Sequence, residues 1–411
     1  MSSCPAELSA DRALENKVRF LLSADSYPEP ATEVRHVETH MSHVFLAGDR
    51  AYKLKKPIKL PFLDFSTLEK RERMCRQELL LNRRMAPHLY LEVVPLCETD
   101  GKLRLGSGEH IVDWLVVLQR LDERLMLDSA VTNRRAHAPQ LLRLTNRLAD
   151  FYRHAHPVFI SPARYLAKWR QVIRSNRHAL LHPDLSLPVA RVLELDRIQS
   201  RFLDCLGGLL LHRLKQRKIV DGHGDLRPEH IWLGEPLAVI DCLEFNAELR
   251  AIDPFEELAY LAVECERFGD IKIGSWVIQR LRKTLPNPPP PELLSFYKCY
   301  RATLRANLSA VHLLEKNPRT PEKWRPLALR YLEIARKETA ILERAIKSSA
   351  SRPIVRPDAS ARLPARKDRR LKSRPVFGVW NVAAEAGKPE RCRKRQRDLS
   401  QGQPALRWHL S

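Results

Sequence analysis

Residues 223–241, HGDLRPEHIWLGEPLAVID, carry the pattern that decides the fold. A polar loop, His223 to His230, precedes two short apolar runs, Ile231–Leu233 and the one ending in Ile240-Asp241. Gly234-Glu235-Pro236 between them marks a small hairpin. The loop and the hairpin supply two carboxylates, Asp225 and Asp241, sixteen residues apart. Phosphoryl transfer needs few protein parts: one carboxylate orients the attacking hydroxyl and another holds Mg²⁺ on the phosphates. A lone His-Gly-Asp is a weak signal, because His223, Asp225 and Asp241 would serve equally well to brace a hairpin.

Working outward, the N-terminal side strengthens the signal. Residues 10–23 read as a short helix. Val34–Glu38, His43–Ala47 and Ala51–Lys55 read as strands, with a turn at Gly48-Asp49. A helix follows over 67–85, opened by a Ser66/Glu69 capping box and closed by Pro87. Leu91–Leu96 and Lys102–Leu105 flank the Asp100-Gly101 hairpin turn, and His110–Leu121 is a long apolar strand entering a linker. On the helix, Glu78 shares a face with Met74, Cys75, Leu81 and Met85. A carboxylate in an apolar stripe is costly unless a cation meets it. Lys53, on the third strand, is the candidate cation, and such a Lys–Glu pair is what a kinase uses to grip phosphates. Lys55 lies on the same strand face and competes with Lys53 for this role; with Lys56 and Lys59 following, a surface lysine is the bland alternative. Arg71 and Arg84 compete as partners of Glu78.

The C-terminal side is helical over 122–218, with examples at Gln140–Arg153 and Val189–Gln216, and again over 254–268 and 292–346. Asp253-Pro254-Phe255-Glu256 is an N-cap, a Pro at N1 and a capping-box Glu, a structural role. Tyr297, Arg301 and Arg305 share a helical face that reads as solvated or core-edge, the alternative being a receiving face for an acidic substrate. Beyond 347 the periodicity stops. Residues 348–411 hold 16 Lys/Arg against 5 Asp/Glu, half of the net charge of +22, and too little apolar surface to offset ordering. This tail is expected to be disordered and solvated. Its run Arg391–Arg397, with Trp380 and Trp408, is also a candidate for weak, sequence-independent, salt-sensitive contact with nucleic acid. The 411 residues show no apolar run long enough for a membrane span and no secretory signal. The eight cysteines are scattered without a CxxC pair, which suits a reduced, cytoplasmic protein, and no GxxxxGK[ST] loop occurs.

Taken in order, residues 38–46, 52–57, 62–67, 78–84 and the His223 and Asp241 segments resemble the protein-kinase-like fold, in the branch of aminoglycoside phosphotransferases and choline kinases. Within it the chain is similar to a group of uncharacterised bacterial kinase-like proteins, and the likeness spans about 34–310. The resemblance implies an α+β, two-lobed architecture. An N-terminal helix and loop (1–33) would lead into an N-lobe (34–121) with a five-stranded antiparallel sheet and one helix. A helical C-lobe (122–347) would carry the catalytic loop, with the tail (348–411) following. It implies an ATP-dependent (or other nucleoside triphosphate-dependent) phosphotransferase acting on a hydroxyl of a small-molecule acceptor, with Mg²⁺.

Carried over by position, Asp225 with His223 would be catalytic and Asp241 would bind metal. Lys53 and Glu78 would grip the phosphates, Lys53 being favoured over Lys55 by its match to the V-A-I-K lysine. Thr39, Ser42 and His43 would lie in the loop over the phosphates, and Gln119 and Leu121 in the hinge that meets the base. Two departures stand out. The metal-binding Asn expected five residues after the catalytic Asp is His230, a candidate metal ligand of a kind Mg²⁺ disfavours. The loop over the phosphates lacks GxGxxG, which argues against a protein substrate. Some relatives add a C-terminal P-loop kinase module where this chain has its basic tail. Two rivals remain: a nucleotide-binding pseudokinase or scaffold without turnover, and a metallohydrolase built on His223, Asp225, His230 and Asp241.

Overall fold

The computed structural model describes residues 5–29, 31–315 and 320–350. The expected disordered tail and its nucleic-acid contact lie outside the described residues, apart from 348–350, which finish the last helix. Among the described residues, no helix is long and apolar enough to cross a membrane. The chain divides into two compact units. Of the described residues, the first takes those up to Val158 together with Ile219–Pro288, and the second takes Phe159–Lys218 with those from Pro289 onward.

The first unit opens with α1 (Pro5–Leu21), then β1 (Val34–Glu38), β2 (Ser42–Ala47) and β3 (Arg50–Lys55). A two-residue-per-strand hairpin, β4 (Lys59–Leu60) and β5 (Leu63–Asp64), leads to α2 (Leu68–Asn82). Thr67, one residue later than expected, caps α2: its side chain accepts the Lys70 N–H, while Ser66 bonds Asp64 instead. Then come β6 (Tyr90–Thr99), β7 (Lys102–Leu105) and β8 (His110–Gln119). The sheet has six strands rather than five, in the order β1-β2-β3-β8-β6-β7, each neighbouring pair antiparallel. The hairpin arm β7 pairs onto β6 as an edge strand. The run expected to lead out into a linker, β8, lies inside the sheet between β3 and β6.

That interior place explains why β8 is nearly all apolar. Side chains alternate across a strand, so a strand covered on both faces cannot alternate polar with apolar. Leu115 and Val117 join Phe45, Tyr52, Leu54 and Leu96 under α1, with Leu21 and Tyr27. Trp114 and Val116 join Cys75, Ala86, Leu89 and Tyr90 on the opposite face, which α2 covers, together with Ile240.

A short helix α3 (Leu127–Thr132) and a longer α4 (Ala138–His154) follow, before the chain enters the second unit through α5 (Pro162–Leu180) and α6 (Val189–Lys215). It returns where it left: the Val158 N–H donates to the Ile219 carbonyl at 2.8 Å, and Pro157 bridges Val220 in antiparallel sense. The first unit resumes with β9 (Val220–Asp221), β10 (Ile231–Trp232), β11 (Ala238–Val239), α7 (Ala247–Arg250), β12 (Ala251–Ile252), α8 (Pro254–Arg267) and α9 (Ile271–Thr284). Asp253 caps α8 as expected, accepting the Phe255 N–H at 2.9 Å. Helix α9 is an addition to the sequence reading, although Asp270 caps it and its apolar positions have helical spacing.

The second unit continues with α10 (Pro291–Ala310), α11 (Pro321–Lys337) and α12 (Thr339–Ala350). Its core stacks Phe202 on Phe296, with Trp169 edge-on to Tyr300. Tyr297, Arg301 and Arg305 are buried in it rather than solvated, and Arg305 lies over the Tyr331 ring.

Two positions on β8 test this assignment of a buried middle and an exposed start to the strand. Leu115 is 0% exposed and Ile111 is 42% exposed. Leu115→Ala is expected to cost about 2–5 kcal/mol of stability, and Ile111→Ala to stay within about 0.5 kcal/mol. Urea denaturation compares them; equal losses would refute the assignment.

Candidate active site

Lys53 and Lys55 are two residues apart on β3, so both project from the face that α2 covers. Both reach Glu78 of α2. Lys53 Nζ donates to Glu78 Oε1 at 2.9 Å and Lys55 Nζ to Oε2 at 2.5 Å. Lys53 also donates to Asp241 Oδ1 at 2.8 Å, and Lys55 to Glu244. Lys55, the competing lysine of the sequence reading, is more deeply buried than Lys53, with only 1% of its side chain exposed against 11%. Arg71 and Arg84 are not partners of Glu78: Arg71 pairs with Asp113 and Arg84 with Asp221. Burial pushes the Glu78 carboxyl upward, but the two ammonium groups outweigh it and hold the group below the ordinary carboxylate range. Burial also pushes Asp241 upward, and Lys53 overrides it, leaving Asp241 at about 2. Glu244 goes the other way, raised by burial in spite of Lys55.

The loop from His223 to His230 runs between β9 and β10, and Asp241 follows β11. Two main-chain bonds tie the segments together, Ile240 N–H to His230 O at 2.9 Å and Leu243 N–H to His223 O at 3.1 Å. Asp241 has φ +62°, in the left-handed region, a strained conformation that Asp tolerates better than branched residues. It is held there from both sides. The Asp241 N–H donates to the Tyr90 hydroxyl at 3.1 Å, and the Cys242 N–H to Asn82 Oδ1 at 2.9 Å.

Glu257 of α8 organises the other end of the loop. Its carboxylate accepts the N–H groups of His223 and Gly224 and the Tyr152 hydroxyl. Gly222 makes room for it: a Cβ there would lie 2.6 Å from Ile252 Cγ2 and 2.8 Å from Glu257 Oε2. Asp225 is thereby presented to three groups. Tyr260 donates its hydroxyl to Oδ1 at 3.0 Å, Arg227 donates Nε–H to Oδ2 at 3.0 Å, and His230 Nδ1 lies 2.8 Å from the Asp225 carbonyl. Arg227 Nη2 also donates to His230 Nε2 at 3.0 Å. That bond makes Nε2 an acceptor and leaves the ring proton on Nδ1, facing the Asp225 carbonyl. The same imidazole links the two acids: Nδ1 is 3.6 Å from Asp225 Oδ2 and Nε2 is 3.8 Å from Asp241 Oδ2.

Comparison with other proteins follows this geometry. No family model matches the chain. Uncharacterized proteins of Mycobacterium tuberculosis and Mycobacterium bovis are 32% identical to it over 323 residues, 76% of this chain and 61% of theirs. The chain thus spans less than two-thirds of the length of these relatives. A choline/ethanolamine kinase family protein from Mesorhizobium loti superposes with a TM-score of 0.52 at 16% identity, over 82% of this chain and 99% of that one. The chain has the protein-kinase-like fold. A choline kinase from Cryptosporidium parvum superposes at a TM-score of 0.48 and 9% identity, over 80% and 97% of the two chains.

Within this kinase-like fold the structure brings Lys53, Glu78, Asp241, His230 and Asp225 into one connected set. The remaining candidates are placed differently. Thr39 and Ser42 close a tight β1–β2 turn on each other, with the Ser42 N–H on Thr39 Oγ1 at 2.9 Å. Ser42 is opposite Lys55 in register and shares its face. His43 points to the other face, 3.0 Å from His36 through ring nitrogens and on the side of Phe45, away from Lys53. Gln119 bonds Arg50 and Asp49 at the β2–β3 turn. Leu121 packs into the cluster containing Ile240, beside Asp241.

His223 has both ring nitrogens on the main chain: Nε2 is 2.8 Å from the Ile240 carbonyl and Nδ1 accepts the Asp225 N–H at 3.3 Å. It positions the loop. The metallohydrolase arrangement is not formed: among the described residues, His223, Asp225, His230 and Asp241 do not bring three ligand atoms within 4.8 Å of one another. Sequence reading missed Glu244, Arg227, Glu257 and Tyr260. Glu257, Tyr260 and Glu264 recur at helical spacing on α8, and three acids or phenols on one face of a buried helix were the available signal.

Burial, and the neighbouring His230, push the His223 imidazole down from 6.5 to about 3. The unfolded chain protonates this residue below about pH 6.5 and the folded chain does not until far lower. Stability is therefore lost as pH falls through that window, by up to about 1.4 kcal/mol per unit. Urea midpoints from pH 7.5 to 4.5 should fall, and less steeply in His223→Gln; identical slopes would acquit His223.

Proposed function

We propose that this chain is a phosphotransferase that uses a nucleoside triphosphate, ATP in the first instance, to phosphorylate a hydroxyl of a small-molecule acceptor. The observation that supports this most directly is Lys53 Nζ shared between Glu78 (2.9 Å) and Asp241 (2.8 Å), with His230 linking Asp241 to Asp225. It is an amine for phosphate oxygens, a carboxylate for a cation, and a second carboxylate for the acceptor hydroxyl, in one connected set. The kinase-like fold agrees with it.

In this reading Lys53, fixed by Glu78, holds the phosphate oxygens by charge. Lys55 keeps Glu78 ionised and aligned, so that the pair survives when Asp241 turns toward its cation. Asp225 Oδ1 and Oδ2, oriented by Tyr260 and Arg227, accept a hydrogen bond from the acceptor hydroxyl and set it in line with the phosphoryl group. His223 and Glu257 hold the loop so that this orientation needs no rearrangement. The donor set fits one divalent cation: Asp241 has Oδ1 on Lys53 and is held ionised, and Oδ2 is the oxygen it would give to Mg²⁺. That ion, when bound, offsets phosphate charge. His230 does not fit as a second ligand, because Arg227 occupies the lone pair of Nε2.

A nucleotide-binding scaffold without turnover is the second reading, favoured by the engagement of Asp225 with Arg227. Two measurements separate them: thermal shift with ATP, with and without Mg²⁺, and ADP release across a panel of hydroxyl acceptors. Asp225→Asn is expected to lower turnover by about 10²–10⁴-fold with nucleotide binding retained. Lys53→Met is expected to weaken nucleotide binding itself. Turnover untouched by Asp225→Asn would refute the catalytic assignment, and binding without any turnover would favour the scaffold.

A further inference from the structure

The position five residues after Asp225 is where this fold's resemblance calls for an oxygen ligand to a second metal ion. Here it carries His230, and the His230 nitrogen facing Asp241 accepts a hydrogen bond from Arg227 Nη2 at 3.0 Å. The same guanidinium lies 3.0 Å from Asp225 Oδ2 through both Nε and Nη2. Arg227 is 0% exposed, among the largest fully buried side chains in the described residues. Its planar fork thus bonds at once the carboxylate of Asp225 and the imidazole that replaces the amide.

A cation in such a place changes the metal chemistry. Mg²⁺ needs oxygen ligands in near-octahedral array and gives up water reluctantly. At His230 it would find both ring nitrogens in use, Nε2 accepting from Arg227 and Nδ1 facing the Asp225 carbonyl with its proton, and a fixed positive charge bonded to both Nε2 and the Asp225 carboxylate. A guanidinium stays protonated at any working pH and, unlike a metal ion, cannot dissociate. The Asp241 side is different: its Oδ1 is bonded to a lysine, and its Oδ2 is 3.8 Å from the imidazole, outside hydrogen-bond reach.

We propose that this chain binds a single divalent cation with its nucleotide, on Asp241, and that the guanidinium of Arg227 is a resident cation in place of a second metal ion. The proposal rests on the phosphotransferase reading above and specifies its metal stoichiometry. The charge that a second ion would lend to the acceptor side of the site then comes from the protein, already paired with Asp225, so the reaction needs one metal–nucleotide complex and no additional free metal.

Counting Mn²⁺ tests this without reference to turnover. The full chain, saturated with a non-hydrolysable ATP analogue, is titrated with Mn²⁺ while free ion is followed by electron paramagnetic resonance. One bound ion per chain is expected. In the double variant R227Q/H230N, which removes the guanidinium and restores an amide oxygen, two are expected, with a thermal melt showing that the variant is folded. H230N alone keeps the guanidinium and should still bind one, which decides the matter if the double variant fails to fold. Two ions in the unaltered chain, two in H230N, or one in a folded R227Q/H230N would each overturn the proposal. No nucleotide-dependent Mn²⁺ at all would instead overturn the phosphotransferase reading on which it rests.

Discussion

Two lysine ammonium groups inside one hydrophobic layer are the constraint that the rest of the first unit serves. Charged groups taken out of water need partners of opposite sign with good geometry, or they destabilise the fold. Lys53 and Lys55 share Glu78 and then part, one to Asp241 and the other to Glu244. This ladder fixes the distance between β3 and α2 and ties both to the segment that follows β11. Losing Glu78 would take one of two carboxylate partners from each of two buried cations at once, so sheet, helix and loop are specified together through one residue.

The loop segment answers the same need with backbone. Its N–H groups go to Glu257, its imidazoles to main-chain carbonyls, and the strained residue at 241 is held by Tyr90 on one side and by Asn82, through Cys242, on the other. Strain of about 1–3 kcal/mol at such a position persists only when its surroundings over-determine it. Here the neighbours are the end of α2 and the start of β6, which the fold brings to Asp241 from far along the chain. The carboxylate reaches its place because the backbone cannot relax.

Much of this was legible in the sequence because the signals are local. The strand and helix runs, the hairpin after His230, the cap at Asp253 and the charged residue in an apolar stripe at Glu78 each declare themselves within a few positions. What escaped depends on contacts across long sequence separations. Lys55 looks like any surface lysine until Glu244, far along the chain, arrives beside it. Arg227 sits in the quoted loop, yet nothing in its neighbours in sequence says that its guanidinium turns inward onto Asp225 and His230. The resemblance put His43 in the loop over the phosphates, but strand alternation sends it to the opposite face, a distinction that rests on register. Helix α9, as long as α8 and with both a cap and an apolar spacing, was legible by the same local signals.

The junction at Val158 and Ile219 has a consequence for how such a chain can change. The two ends of the 159–218 excursion meet at an isolated antiparallel bridge, closed by a main-chain bond of 2.8 Å. Seen from the first unit, everything between them is one long loop of which only the two feet matter. Evolution or an engineer can lengthen, trim or exchange it while those two feet stay paired. The condition is that α5 and α6 be altered together with α10, which they pack against and which returns much later in sequence. Diversity in this architecture is therefore expected to arrive as paired changes, one inside the excursion and one after residue 289.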